Sequence, residues 1–483
     1  MITILDCYTD EPAGLGVPPY LGTYPRYIAG SLSEEYNYIT IDDLRFYKYY
    51  NLDDKKKEVS HKTNIKIYNL TKNIGRIKEI LDDTTELIVI AGVHTPGKYL
   101  SAIPGTLKEI TELVGEINCK KILTGPAVYG TSIEGGKFAE KVDLSIFDQV
   151  KDFSFSYDKI KDYAVRGVKL VEQIGAPRII ELETAKGCSR KIHCSFCTEP
   201  LKNKVSFRNA ADITNEVKEF NKYGIRNFRL GKQTCYYSHP EAIDIIKDIR
   251  EKCKVDVLHI DNVNPVNVVT NNGVEITKQI VKYCTEGNTA AFGVESFDPV
   301  VVKENNLNSD PEVSYEAARI LNKYGAARGP NGMPKFLPGI NLLYGLIGES
   351  KNTNTFNLDW LTRFMDEGLL IRRINIRQVD IFNGTPLYKT VGNKYIKKNK
   401  KYYWKWRDEI RQKVDYPMLQ KLVPLGTVLK DMVAEIYDGN TTFCRQIGTY
   451  PLIVGVKGRL VLGKSYGLKI KGHMLRSIIG EVA

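Results

Sequence analysis

The 483-residue sequence predicts an α/β protein in three parts: a doubly wound parallel sheet, a partial (β/α)6 barrel, and a small C-terminal β-barrel. Three observations predict it. Short apolar strand-like runs alternate with helical stretches as far as residue 390, the pattern of parallel strands joined by crossover helices. Six such repeats fall between residues 178 and 390, short of the ~250 residues of a full eight-strand barrel. From Val423 the chain turns to β-branched residues, glycines and turns, which suit a small all-β barrel.

The first part spans residues 1–165. Met1–Asp6 (MITILD), Glu86–Ala91 (ELIVIA) and Lys121–Thr124 (KILT) read as buried strands, and Ile74–Leu81 and Gly105–Ile117 as helices. Alternation of this kind gives a Rossmann-like doubly wound sheet. A boundary is expected within Asp152–Gly175. The barrel spans 176–390. Its strands are expected at Arg178–Leu182, Phe228–Leu230, Val255–Ile260, Ala290–Val294, Gly339–Leu343 and Arg373–Arg377. Helices are expected at Pro240–Glu251, Val313–Lys323 and Asn354–Glu367. Chemistry in such barrels sits at the carboxyl ends of the strands. Residues 391–422 form a basic, aromatic helical connector, and 423–483 the small barrel.

Composition narrows the classes. A chain with 42% hydrophobic and 26% charged residues is neither disordered, collagen-like nor a coiled coil. No apolar run approaches the ~20 residues of a membrane span. Met1–Asp10 carries Asp6 and no basic n-region, so a signal peptide is not expected and a cytoplasmic protein is. The nine cysteines are odd in number and scattered apart from one tight triplet, which argues against a disulfide framework and for metal. Net charge is +12, of which residues 391–483 carry +11. The first 390 residues are therefore nearly neutral.

The triplet is Cys188, Cys194 and Cys197, a C-x5-C-x2-C in GCSRKIHCSFC after the first barrel strand. Three thiolates can hold three irons of a [4Fe–4S] cube and leave the fourth iron open. Zinc would want a fourth ligand and a closed tetrahedron. His193 abuts Cys194, which is poor geometry for chelating one ion.

A strand, a Gly-Cys turn and a C-x-aromatic-C loop resemble the radical S-adenosylmethionine (SAM) superfamily, although the usual spacing is x3 and here it is x5. Further motifs follow in order at strand ends. Gly231-Lys232-Gln233 resembles the segment that contacts the amino group of SAM. Gly293-Val294-Glu295-Ser296 resembles the ribose-binding GxES, and Gly345-Leu346-Ile347-Gly348-Glu349 the GxxGE beside the adenine. Taken singly, each motif also reads as a strand-to-helix turn with a capping acid. The resemblance implies that Cys188, Cys194 and Cys197 bind the cluster. It implies that Gly231, Lys232, Gln233, Glu295, Ser296, Gly345 and Glu349 place SAM, and that Phe196 packs on the adenine or anchors its loop. It also implies an electron donor such as ferredoxin or flavodoxin. The cofactor carries the hard chemistry, and the protein orients it and excludes water.

Within the superfamily, Leu230–Thr234 (LGKQT), Tyr344–Ser350 (YGLIGES) and Gly384-Thr385-Pro386 are most similar to the methylthiotransferase-related group, in which an arginine near the position of Arg377 points into the site. The C-terminal segments Gly426–Asp438, Arg445–Val456, Gly463-Lys464 and Gly480-Glu481 resemble a TRAM domain, a small RNA-binding barrel. The first domain departs from the group. Its second cluster needs three cysteines, and only Cys7 is in place; Gly92-Val93-His94 and Gly125-Pro126 stand where the others belong. Cys7 then reads as a structural thiol. Alternatively, Pro18–Gly22 (PPYLG) and Gly92–His94 are similar to turns of cobalamin-dependent radical enzymes, although the D-x-H-x-x-G cobalt motif is absent. A third possibility is a sheet kept for shape or substrate docking, with His94 an ordinary strand-end histidine.

Cys235 ends the second barrel strand and is expected to face the reaction, as a ligand, relay or sulfur carrier, or as a buried small residue. His259 and Asp261 are expected on the same rim. In Asn393–Arg407, cations alternate with aromatics, the pairing that neutralises phosphates and stacks on unpaired bases. Lys397, Lys398, Lys400, Lys401, Tyr403, Trp404 and Arg445 are the expected RNA contacts. A basic helix whose aromatics pack inward is the structural alternative. The sequence thus predicts a monomeric radical SAM transferase that modifies a tRNA nucleoside by adding a methylthio, sulfur or methyl group to an unactivated carbon. A cobalamin-dependent methyltransferase, or an enzyme acting on a protein or small metabolite, is the alternative.

Overall fold

The structure is a computed structural model and describes residues 1–9, 20–49, 68–92, 102–132, 135–175 and 177–483. The chain folds as two compact units interleaved in sequence. One comprises Met1–Gly135, Ala139–Glu183 and Ala211–Phe228; the other comprises Gly136–Phe138, Thr184–Ala210 and Arg229–Ala483. Among the described residues no helix is long and apolar enough to cross a membrane.

The first unit is built on a five-stranded parallel sheet. Its strands are β1 (Ile2–Asp6), β2 (Tyr36–Thr40), β3 (Glu86–Ile90), β4 (Lys120–Thr124) and β5 (Gln149–Val150). They lie in the order β2-β1-β3-β4-β5. This is the 2-1-3-4-5 order of a doubly wound fold, with its switch point between β1 and β3. The three apolar runs read in the sequence are β1, β3 and β4, each buried along most of its length. The expected helices appear as α3 (Ile77–Asp83) and α4 (Leu107–Val114), beside α1 (Thr23–Ser31), α2 (Ile41–Tyr49) and α5 (Tyr157–Gly167).

Helices α1 and α5 cross at two glycines. A Cβ on Gly30 would sit 1.9 Å from the Tyr163 carbonyl oxygen, and one on Gly167 would sit 2.0 Å from that of Arg26. The fully buried Arg26 guanidinium pairs with Glu216 on α6 (Ala210–Lys222) and donates to the carbonyl of Glu181 on β6 (Ile179–Glu183). Strand β6 and most of α6 therefore belong to the first unit. The unit does not end in the segment 152–175, because Arg26 reaches past it.

The second unit carries the remaining barrel strands: the end of β7 (Asn227–Gly231), then β8 (Val257–Ile260), β9 (Asn288–Glu295), β10 (Phe336–Tyr344) and β11 (Arg373–Gln378). They fall where the sequence predicts, and β9-β10-β11 form a parallel sheet. Even-numbered residues of β10 and β11, such as Ile340, Leu342, Ile374 and Ile376, are buried, whereas Asn341, Leu343, Asn375 and Arg377 are part-exposed. Alternation along a strand sends the two sets to opposite faces. The register sets Gly339 beside Arg373, Asn341 beside Asn375 and Leu343 beside Arg377. These pairs make three rows up the inner face.

Beyond β11 run α7 (Lys394–Ile410), a π-turn at Arg411–Asp415, and α8 (Tyr416–Leu422). The tail is a closed five-strand barrel of β12 (Val428–Asp438), β13 (Thr441–Gln446), β14 (Val454–Lys457), β15 (Ser465–His473) and β16 (Ile478–Val482). Its core (Leu429, Met432, Val454, Leu468, Ile478) continues into Leu422, Val423, Met333 and Leu337.

Candidate active site

The three cysteines lie on one loop at the head of the second unit, all free and part-exposed. Gly187, at φ +75°, opens the loop; a Cβ there would meet the Lys204 and Val205 backbone at 2.6 Å. Its N–H donates to Glu199 Oε1 at 2.8 Å. Arg190 Nη1 donates to Cys194 Sγ at 2.9 Å, while its Nη2 donates to the carbonyls of Asn306 and Leu307. Burial pushes the Cys194 thiol up to about 11 and that of Cys197 to about 12. Free, these thiols hold their protons at neutral pH, so a cationic centre must displace them. Among the described residues, no three His, Cys, Asp or Glu side chains converge on a single-ion site. Zinc would need a fourth ligand to close its tetrahedron, whereas three thiolates suffice for three irons of a cluster and leave the fourth open.

The glycine motifs gather around this loop. Glu295, the last residue of β9, and Lys232, just past β7, both have φ of +62°, a strained conformation for residues with a side chain. Glu295 is part-exposed, yet the protein packed around it desolvates its carboxyl and raises it to about 8 against the opposing charge of Arg377; its own charge is felt by Cys194. Glu349 Oε2 accepts from the Gly345 N–H at 2.6 Å, and Oε1 from Asn399 Nδ2 at 2.8 Å. Burial nevertheless lifts Glu349 to about 7. Phe196 and Cys194, like Leu343 and Ile347, pack against one buried cluster that includes Leu346 of the GLIGE turn and Leu387.

Two motif residues serve the backbone. Gln233 is buried, bonded to Thr184 Oγ1 and the Leu230 carbonyl, and Ser296 Oγ accepts from the Asp298 N–H. Two expected rim residues do not open onto solvent. Cys235 is buried, its Sγ accepting from the Asn264 N–H at 3.3 Å, and burial pushes its thiol to about 11. It is a packed thiol, protonated at neutral pH. His259 is pushed down to about 4 by burial, and its Nδ1 accepts from the Thr449 N–H at 3.0 Å, so it is a neutral structural histidine.

A family model described as Radical SAM superfamily matches residues 182–353, the stretch that holds the triplet and all three glycine motifs. The chain carries a radical SAM domain. It is 40% identical over 99% of its length, and 92% of the relative's, to an uncharacterized protein of Methanocaldococcus jannaschii. It is 36% identical over 94% of its length, and 85% of the relative's, to one of Archaeoglobus fulgidus. It belongs to their family. Among solved structures it is similar to the radical SAM methyltransferase TsrM of Kitasatospora setae, at 12% identity and a TM-score of 0.49, covering 80% of this chain and 74% of that one. It is also similar to the cobalamin-dependent radical enzyme OxsB, at 11% identity and 0.48, covering 86% and 58%.

The radical SAM cofactors are a [4Fe–4S] cluster and SAM. Cys188, Cys194 and Cys197 would hold the cluster, and three thiols with a donor on one sulfur fit it. When bound, the pair supplies one-electron cleavage chemistry that starts a radical reaction. The chain's own part is to fix the loop. Asn305, fully buried, does this and carries no motif signal: its Oδ1 accepts from Ser195 Oγ and the Ile347 N–H, and its Nδ2 donates to the Ile347 carbonyl. The Leu387 N–H, after Gly384-Thr385-Pro386, donates to the Ser195 carbonyl. The GTP segment thus backs the cysteine loop.

The radical SAM barrel is lined by polar groups. Asn375 Nδ2 donates to Asn341 Oδ1 at 3.3 Å, and Arg377 Nε reaches Asn375 Oδ1 at 3.4 Å. Arg377 thus shares one strand face with Asn341 and Asn375. At the base of the same face, the Arg373 guanidinium lies 3.8 Å from the ring centre of Tyr450, a residue of the C-terminal barrel. Asp261 pairs with Arg229 and accepts from the Tyr450 hydroxyl.

Helix α7 has two faces. Ile396, Asn399, Tyr403, Trp406 and Ile410 are buried at alternating steps of three and four. This corrects the expectation for Tyr403. Its ring packs on Tyr344, and its hydroxyl points to the Ile376 carbonyl, because it lies on the inner stripe. Arg445 is corrected too: it is buried in an ion pair with Glu435 at 2.8 Å across β12 and β13. Lys397, Lys398, Lys400 and Lys401 are exposed, and Trp404 is 61% exposed with the Arg407 guanidinium over it.

In the first unit, Cys7 is fully buried and burial pushes its thiol well up, as a structural thiol would be. Gly92 and Gly125 end β3 and β4 at φ +128° and +93°, each fitted against the other's turn. Pro18, Pro19 and His94 lie outside the described residues.

Proposed function

We propose that this radical SAM enzyme modifies a tRNA nucleoside, adding a methyl group to an unactivated carbon. The observation that carries the RNA reading is the two-faced helix α7. Its inner face holds Asn399 on Glu349 and packs Tyr403 on Tyr344. Its outer face aligns Lys397, Lys401 and Trp404 at steps of four and three, with Lys400 and Lys405 beside them. A polyanion docked there lies one helix diameter, ~10 Å, from the SAM-placing turn. The closed C-terminal barrel, of the kind that TRAM domains form, adds to this reading. Methyl transfer is favoured over methylthiolation because the carboxyl edge of the first sheet offers Cys7 alone, buried, where a second cluster needs three thiolates. A 2-1-3-4-5 sheet presents its carboxyl edge to a cofactor, and cobalamin is the candidate.

Phosphate contacts impose a salt slope of about 0.9 per contact. Lys397→Glu/Lys400→Glu/Lys401→Glu should flatten the log–log slope of tRNA binding by about 2–3 and weaken affinity by at least about tenfold, with iron content unchanged. Absent or salt-insensitive tRNA binding by the wild type refutes the RNA reading. Eight irons per chain after anaerobic reconstitution would restore methylthiolation, whereas four irons and cobalamin uptake, read from the visible spectrum, support methyl transfer. A second reading, a small anionic substrate, is favoured by the arginines that line the lumen, Arg373 and Arg377.

A further inference from the structure

The C-terminal barrel makes a contact that an RNA handle has no need of. The connection between β13 and β14 turns inward at Gly448, where a Cβ would meet His259 Cε1 at 2.7 Å. The Thr449 N–H donates to His259 Nδ1. Tyr450 follows at φ +52°, a left-handed conformation that costs a side-chain-bearing residue about 1–3 kcal/mol and persists only where its surroundings enforce it. They do so on every side. Arg372 Nη2 donates to the Tyr450 carbonyl, the Tyr450 hydroxyl donates to Asp261 Oδ1, and the guanidinium of Arg373 lies over the ring. Arg229, paired with Asp261, lies 5.8 Å from the same ring.

Arg373 heads the lowest of the three inner rows. Above it come the Asn341–Asn375 pair and then Arg377, whose charge acts on Glu295 beside Cys194. From Arg373 to Arg377 is four residues of strand, ~13 Å.

We infer that Tyr450 is a substrate-positioning residue: with Arg373 it forms the floor of the catalytic lumen and sets how deep, and in which orientation, the reacting group stands below the cysteine loop. The chemistry above that floor suits a planar, hydrogen-bonding group. Two amides and two guanidiniums offer donors and acceptors in fixed rows, as a pocket for an extruded nucleobase does. The nucleobase assignment rests on the RNA reading, whereas the role of Tyr450 does not.

The test uses the full-length, anaerobically reconstituted enzyme and extract from a deletion strain, split into tRNA and small-molecule fractions. The fraction that stimulates 5′-deoxyadenosine release by the wild type serves as the probe. Product formed per 5′-deoxyadenosine is then compared among variants. Tyr450→Ala should lower that ratio roughly tenfold, the scale of losing one aromatic contact to a base, with iron content unchanged. Tyr450→Phe, which keeps the ring and loses only the bond to Asp261, should restore most of it. If Tyr450→Ala proves unstable, Arg373→Met carries the same expectation. A ratio and KM unchanged in both variants overturn the inference. Stimulation by the small-molecule fraction alone sinks the RNA reading, and leaves Tyr450 to be judged on that fraction.

Discussion

Arg190 shows how one side chain tunes the cysteine loop. It reaches across the x5 segment to put an N–H on Cys194 Sγ and anchors itself on the Asn306 and Leu307 carbonyls. A donor on a cluster sulfur stabilises the reduced, more negative state. Arg190→Met should therefore lower the midpoint potential by about 20–60 mV, a hydrogen bond's ~0.5–1.5 kcal/mol in a one-electron couple. An EPR-monitored titration checks this, and an unmoved potential would assign Arg190 to loop anchoring alone. Residues of this kind were only partly legible. The triplet and the glycine motifs could be read because their spacing lies within one turn of chain. Asn305 and Tyr450 could not, because each acts on a segment distant in sequence, Asn305 on Ser195 and Tyr450 on Arg373. Asn341 and Asn375 did leave a trace: polar residues at alternate positions of otherwise apolar strands.

At the scale of the element, α7 carries the main lesson. Its cations and aromatics read either as a nucleic-acid surface or as a basic helix whose aromatics pack inward. The stripe Ile396, Asn399, Tyr403, Trp406 and Ile410 was present in the sequence at helical spacing, but without knowing what it faces, an aromatic on that stripe is indistinguishable from one in solvent. The structure divides them: Tyr403 and Trp406 pack inward, and Trp404 faces out. The inner face also bears on the cofactor site. Asn399→Leu removes the donor from Glu349 Oε1, whose carboxyl burial already lifts to about 7. The variant should hold that carboxyl protonated to higher pH and weaken SAM binding by about 5–100-fold, the cost of a buried acceptor left unmet. Equilibrium binding across pH 6–9 measures it, the loss being largest at the acidic end. Equal affinity throughout would show that Glu349 keeps its role without Asn399.

At the scale of the molecule, the order of parts was legible and the seam was not. Strand order follows from hydrophobic alternation, which the sequence displays. The division into units follows from Arg26, a single buried ion pair with Glu216 190 residues away. No local pattern announces it. Arg26→Met removes the buried ion pair with Glu216 and the donor to the Glu181 carbonyl, and should destabilise the first unit by about 3–5 kcal/mol. Denaturant unfolding followed in the first unit would show it; Arg26→Met/Glu216→Leu should recover much of the loss, and failure to recover would mean that the bond to the Glu181 carbonyl dominates.

The closed tail has a consequence for assembly. Strand β16 bridges β14 and β15, so the small barrel shuts only when residues 478–482 are in place. A nascent chain on the ribosome exposes all three cluster cysteines long before it possesses Tyr450, let alone the ring of strands that holds that loop inward. Maturation then has a direction. On the role inferred for Tyr450, the cysteine loop is complete before the floor beneath it, which awaits the last strand of the tail.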